Sequence, residues 1–173
     1  MINNYNASGV NVVITHRATG TAHAVSGFEA DDFISIETPD DIITEKESRD
    51  GEVTRSVKTS KMRRVTLRID QGSSSNDILS ALYKYDQQNY SSGDGIFTAT
   101  ITDSSGRTYL YSSESYLKLP QTQGFAQQSG NREWMLVMVN CDFNIGGNSK
   151  FNTETQNILE ALGVSIDDRW KSA

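Results

Sequence analysis

Apolar side chains in this chain recur mostly at every second position, the spacing that loads one face of a strand. Between residues 63 and 69, Val65, Leu67 and Ile69 fall on one face and Arg64, Thr66 and Arg68 on the other. Residues 96–102 (IFTATIT) alternate Ile or Phe with Thr and Ala, and turn at Asp103-Ser104-Ser105-Gly106 into a returning strand over 107–112. Residues 10–17 (VNVVITHR) are rich in β-branched side chains and predict another strand, with a turn at 18–20 and a return over 21–28. Residues 32–37 (DFISIE) predict a strand that Thr38-Pro39-Asp40 breaks, and 115–119 a short strand stopped by Pro120. A polar loop over 121–131 leads into residues 132–145. There Trp134 to Val139 form an almost unbroken apolar run, the mark of a central strand buried on both faces, and Gly146-Gly147-Asn148 ends it.

In two places the spacing becomes helical. After a polar loop at 71–75, Ser75 or Asn76 is placed to cap a helix reaching about residue 89. Ile78, Leu79, Leu82 and Tyr83, with Ala81 and Tyr85 beside them, make a stripe that should lie across a sheet. Thr153 can cap a second, short helix with Ile158, Leu159 and Leu162 as its stripe and Gly163 closing it. The pattern therefore predicts a mainly β, α+β fold: an antiparallel two-sheet sandwich or open barrel, one flanking mid-chain helix and a short C-terminal helix.

The segment over 41–60 breaks the alternation of buried and exposed positions. From residue 42 to 59 its apolar residues are Ile42, Ile43, Val53 and Val57, and the rest is Thr, Ser, Lys, Arg, Asp, Glu and Gly. Asp50-Gly51 between extended runs is a hairpin signal, since a type I′ turn needs positive φ at both central residues. A two-residue turn would set Arg49 against Glu52, Ser48 against Val53 and Lys46 against Arg55, with Ile42, Val53 and Val57 on one face. An isolated two-stranded ribbon is marginal in water. This long protruding arm should therefore pack on something outside its own domain, offering Ile42, Glu45, Lys46, Glu47, Arg49, Asp50, Gly51, Glu52, Val53, Arg55 and Val57.

Composition narrows the function classes. A chain of 173 residues suits a single domain over 1–173 with a sizeable core. Net charge is −6 and the isoelectric point about 4.9, which argues against a protein that grips nucleic acid by neutralising phosphates. It does not exclude one that lets a polyanion pass without adhering. Cys141 is the single cysteine, so no intramolecular disulfide forms and a cytosolic origin is expected. Residues 1–8 lack the basic and apolar regions of a signal peptide, and no apolar run reaches the roughly 20 residues of a membrane span.

Catalytic chemistry is not legible. His16 and His23 read as strand-face residues on either side of a turn, with no third zinc ligand signalled. Cys141 reads as a small core residue. The acidic pairs Asp31-Asp32, Asp40-Asp41 and Asp167-Asp168 point to opposite faces if extended, and read as loop or turn residues. The glycine-rich stretch at 91–95 lacks the lysine and spacing of a phosphate cradle and the spaced oxygen ligands of a calcium loop. Lys61, Arg63, Arg64 and Arg68 form the basic cluster, better suited to a neighbouring subunit's acidic arm than to nucleic acid. No metal or other cofactor is expected, and an enzyme is the last reading.

Three segments carry a family pattern: the hairpin around Asp50-Gly51, SSSNDILSALYKYDQQN over 73–89, and WMLVMVNCDFNIGGN over 134–148. In their order, behind an N-terminal hairpin, the chain resembles the tail tube proteins of long-tailed bacteriophages. That fold is shared with tube components of bacterial secretion and contractile injection machines. The resemblance implies a structural virion protein of the phage tail, assembled in the host bacterial cytoplasm as homo-hexameric rings that stack into the conduit for DNA ejection. The arm then makes inter-subunit or inter-ring contacts, and free strand edges become joints between copies. DNA would pass an acidic lumen without specific binding. Sheath, tape-measure, baseplate and tail-terminator proteins are the further partners implied, and no membrane is involved. A different tail, baseplate or head-decoration protein, and a secretion-system tube protein, remain alternative readings.

Overall fold

A computed structural model of the chain describes residues 9–119, 124, 125 and 130–171. The expected polar start at 1–8, the strand stop at Pro120 and most of the expected loop over 121–131 lie outside the described residues. In chain order the elements are β1 (Val10–His16), β2 (Ala22–Ala24), β3 (Ile34–Glu37), β4 (Ile43–Glu47), β5 (Val53–Val57) and β6 (Arg63–Asp70). Then come α1 (Ser75–Gln88), β7 (Phe97–Asp103), β8 (Tyr109–Lys118), β9 (Asn131–Val139), β10 (Asp142–Asn144), α2 (Thr153–Ala161) and a short 3-10 turn (Asp168–Trp170).

Eight strands form one antiparallel sheet in the order β2-β1-β7-β8-β9-β6-β3, with β10 beside β8, and β4-β5 stand apart as a two-stranded sheet. The large sheet is open, with β2 and β3 at its two ends. Mainly β architecture with antiparallel sheets and two helices is thus as the pattern predicted.

One face of the large sheet carries the core. Val12 and Ile14 of β1, Phe97 and Ala99 of β7, Leu110 and Leu117 of β8, Leu136 and Met138 of β9, and Val65, Leu67 and Ile69 of β6 are all buried. The alternation over 63–69 is as expected, and β9, between β8 and β6, is an interior strand. Val137 is buried from the opposite face, so the apolar run is covered on both sides. α1 lies over the core face with Leu79 fully buried and Leu82 and Tyr83 packed against the core, while Ile78 remains 37% exposed. Trp134 Nε1 donates to Asn76 Oδ1 at 3.0 Å, tying the helix start to β9.

Several boundaries differ from expectation. Ser75 does not cap α1: its hydroxyl is buried, accepts from Ser26 N at 3.0 Å and bonds His23 Nε2 at 3.0 Å. Asn76 does not cap it either, because its amide donates to the Asp70 and Ser73 carbonyls. The cap position falls to Ser74, with no side-chain bond. The two strands expected over 107–112 and 115–119 are one, β8. A β-bulge opposite Phe97 and Ala99 absorbs the extra residue and keeps both Ser112 and Ser115 inward. The run over 132–145 is interrupted earlier than Gly146. Asn140 takes φ 50°, after which β10 resumes the same register along β8. The returns over 21–28 and 32–37 shorten to the three residues of β2 and the four of β3. Asn152, not Thr153, caps α2, its Oδ1 accepting from Thr155 N. Gly163, at φ 77°, donates to the Glu160 carbonyl while Val164 N donates to that of Leu159, a Schellman closure. The expected stripe of α2 is largely uncovered, with Ile158 and Leu162 exposed.

Candidate assembly interface

β4 and β5 form the expected arm, and all ten of their residues are exposed. The turn is not type I′. Asp50 does not take positive φ among the described residues, and Gly51 does, at φ 80°. Gly51 N donates to the Ser48 carbonyl at 3.0 Å and Ser48 N to the Glu52 carbonyl at 2.8 Å. These bonds define a three-residue loop, Arg49-Asp50-Gly51, with glycine at the left-handed bulge position. The added loop residue moves the register by one. Glu45 faces Arg55, Lys46 faces Thr54, Glu47 faces Val53 and Ile43 faces Val57. The expected Lys46–Arg55 opposition is absent, replaced by an opposite-charge pair. Ile43, not Ile42, joins Val53 and Val57 on the apolar face. Ile42 is half-buried at the root, where its carbonyl accepts from Lys58 N.

Beside β3, at one end of the sheet, lies a cleft of about 460 Å³ lined by Val10, the 30–33 loop, Ile34, Ile36, Ile101 and Leu110, with Asp31, Asp32 and Asp103 among its polar groups. Ile36 is 41% exposed. Arg68 holds Asp32 Oδ2 at 3.1 Å and Glu133 Oε1 at 3.0 Å. Among the described residues no ion pair engages Asp31 or Asp103.

The expected basic cluster is divided by strand alternation. Arg63 sits on the core side, buried, with its guanidinium 4.1 Å over the Phe143 ring, whereas Arg64 and Arg68 lie on the other face. His16 and His23 share the core-side face of β1-β2 but are held separately. His16 Nδ1 bonds Thr19 Oγ1 at 2.9 Å, and its ring meets Tyr85 edge-on. Among the described residues no three His, Cys, Asp or Glu gather as a metal site. Cys141 is a buried core residue, and burial pushes its thiol pKa up. Asp167 caps the 3-10 turn and pairs Arg169, which holds its carboxyl below the usual range. Among the described residues no helix is long and apolar enough to cross a membrane.

The C-terminal segment is fastened to the β7–β8 turn by one side chain. The Arg107 guanidinium lies 4.0 Å from the Phe151 ring centroid and 4.6 Å from that of Trp170, and Nη1 donates to the Ser149 carbonyl at 2.8 Å. Phe151 N donates to the Trp170 carbonyl at 2.8 Å, closing the clasp. No motif announces this arrangement. The free edge residues Ile34 and Ile36 were likewise invisible as site residues, since a strand's place in a sheet is not written in its own sequence.

The family model described as the bacteriophage PhiTE tail tube protein matches residues 3–146. A protein described as structural protein ORF10 of Pseudomonas phage KPP10 is 37% identical over 166 residues, covering 96% of this chain and 95% of that protein. Among solved structures, a sheath/tube terminator of the extracellular contractile injection system PVC, in its extended state, is 13% identical. It has a TM-score of 0.47, over 82% of this chain and 97% of that one. The tube-terminating cap of the anti-feeding prophage is 10% identical with a TM-score of 0.46, over 83% and 93%.

Proposed function

The chain belongs to the bacteriophage tail tube family, and on that premise we propose that its copies close into hexameric rings that stack as the tube of the tail. The observation that supports this reading is the arm: ten strand residues, all exposed, on a ribbon that does not cover its own apolar side. A ribbon of two strands gains little stability alone, so a second copy is the natural cover. The two open sheet ends are further unsatisfied edges, and a head-to-tail contact that closes by rotation uses one edge per neighbour.

In this reading the protein is a virion component with a structural and not a catalytic task, folding as one domain over 1–173 and assembled in the host cytoplasm. DNA leaves through the lumen. The net charge of −6 suits such a channel, because carboxylates on its wall repel phosphates and keep the polymer from adhering. Sheath, tape-measure and terminator or baseplate proteins would meet the tube along its length and at its ends. The arm residues from Ile42 to Val57 make the contacts between subunits or rings.

The test is removal of residues 45–57 and their replacement by a short glycine-serine link. The core sheet should keep its cooperative melting while light scattering and negative-stain microscopy lose the rings and tubes formed by the full chain. Tubes of normal length from the shortened chain would exclude the arm as connector. A full chain that stays monomeric at high concentration would exclude the ring itself.

A further inference from the structure

We propose that β5 of one copy's arm adds as an antiparallel strand to the free edge of β3 in a neighbouring copy, sending Val53, Arg55 and Val57 into the cleft beside Ile34 and Ile36. This rests on the ring reading above and names the surface that receives the arm.

The argument is one of hydrogen-bonding parity. In an antiparallel pair, residues alternate between those that bond the partner and those that turn their N–H and C=O the other way. Arg68 N donates to the Phe33 carbonyl. With Ser35 opposite Thr66 and Glu37 opposite Arg64, the odd residues of β3 therefore bond β6. Ile34 and Ile36 turn their backbone groups to the side where no strand stands among the described residues. At the other open edge, His16 N donates to Thr21 O and Val25 N to Val12 O, so Ala22 and Ala24 of β2 face outward. In the arm, Ser48 bonds Glu52 and Lys58 bonds Ile42, which leaves Val53, Arg55 and Val57 outward on β5 and Ile43, Glu45 and Glu47 outward on β4.

Residues that bond across an antiparallel pair share a face. At β2 an added strand would lay its bonded row beside Ala22 and Ala24, on the face away from the core. At β3 the same row joins Ile34 and Ile36 on the core side, where the cleft of about 460 Å³ has room for it. Charge then selects the strand. The β4 row would bring Glu45 and Glu47 to a cleft already bearing Asp31, Asp32 and Asp103, whereas the β5 row brings Arg55 between two valines. Asp31 and Asp103, outside any ion pair among the described residues, are the groups placed to receive it.

Two registers set Arg55 opposite an isoleucine: one brings Val53 to Ile36, the other Val57 to Ile34. Bonded antiparallel pairs have Cα atoms about 5.5 Å apart, within the range of a disulfide. The experiment mixes full-length single variants, Ile36→Cys with Val53→Cys and Ile34→Cys with Val57→Cys, and oxidises each mixture. One mixture should give a covalent dimer on non-reducing electrophoresis that neither variant gives alone. The companion variant, Arg55→Glu, should raise the concentration needed for assembly by at least about tenfold, and Asp31→Arg in the same chain should restore it. Rings without a cross-link in either mixture would overturn the β3 docking and leave the ring reading standing. Absence of any association by the unmodified chain would overturn the ring reading first. Cross-linking without charge rescue would overturn the choice of Asp31 as the Arg55 partner.

Discussion

Leu79 and Ile78 are neighbours on the same helical stripe, yet the structure gives them unequal work. Leu79 is fully buried against the core sheet, and Ile78 keeps 37% of its surface exposed over an apolar groove beside His23 and Tyr85. Truncating a buried leucine removes its transfer energy and leaves a cavity, about 2–5 kcal/mol together. For a chain of this size each kcal/mol moves the melting point by about 2–4 °C, so Leu79→Ala should lower it by roughly 4–20 °C. Ile78→Ala loses less buried area, and water can enter from the open side, so its cost should be below about 1.5 kcal/mol. The assay is thermal unfolding by circular dichroism at one fixed low protein concentration, because self-association raises apparent stability by mass action. Equal losses for the two variants, or a larger one for Ile78→Ala, would refute this orientation of α1.

Three further outcomes follow from local geometry. Gly51→Ala places a side chain at φ 80°, costing about 1–2 kcal/mol of hairpin stability; amide exchange at Ser48 and Gly51 should quicken while the core melting point stays put. Arg107→Ala removes two cation–π contacts, each about 0.5–2 kcal/mol, so the segment from 149 to 171 should become cleavable by protease under conditions where the core resists. Burial raises the Cys141 thiol pKa, so below the unfolded thiol's range of about 8.5 its neutral form carries no penalty, and as pH rises past that range the unfolded chain loses its proton first and stability falls. The thiolate must be desolvated, hence wild-type stability should fall with rising pH faster than that of Cys141→Ala, measured as urea midpoints at pH 7 and above pH 9.

The elements that the sequence made legible are those decided by their own side chains. Val65, Leu67 and Ile69 alternate, so β6 could be drawn with its faces assigned. Trp134 to Val139 are apolar without a break, so β9 could be placed inside the sheet, with a strand on either side. Gly163 after Leu162 announced the end of α2. What stayed hidden depends on partners distant in sequence. Ser75 reads as a cap until Ser26 and His23 claim its hydroxyl from 49 and 52 residues away. The polar step at Ser112 and Ser113 reads as a strand break until β7 is laid beside it and the bulge becomes visible. Arg63 reads as part of a basic patch until alternation turns it to the opposite face from Arg64.

The arm shows how small a local difference suffices to change what a neighbour would meet. Asp50-Gly51 marks a hairpin under either turn geometry, so its existence was legible. Which geometry forms depends on whether Asp50 accepts a left-handed backbone or leaves that duty to Gly51 alone. The second choice inserts one loop residue and slides β4 by one position against β5. Lys46 then leaves Arg55 and Glu45 takes its place, so a repulsive pair becomes an attractive one. Ile43 replaces Ile42 on the apolar face. The outward backbone row of β4 changes from Ile42, Thr44 and Lys46 to Ile43, Glu45 and Glu47, while that of β5 stays Val53, Arg55 and Val57. A two-residue turn would have left both strands carrying a cation in their outward rows, and an acidic cleft could not have told them apart. With the three-residue turn the two edges of the arm differ in sign, and only β5 suits the carboxylates beside β3.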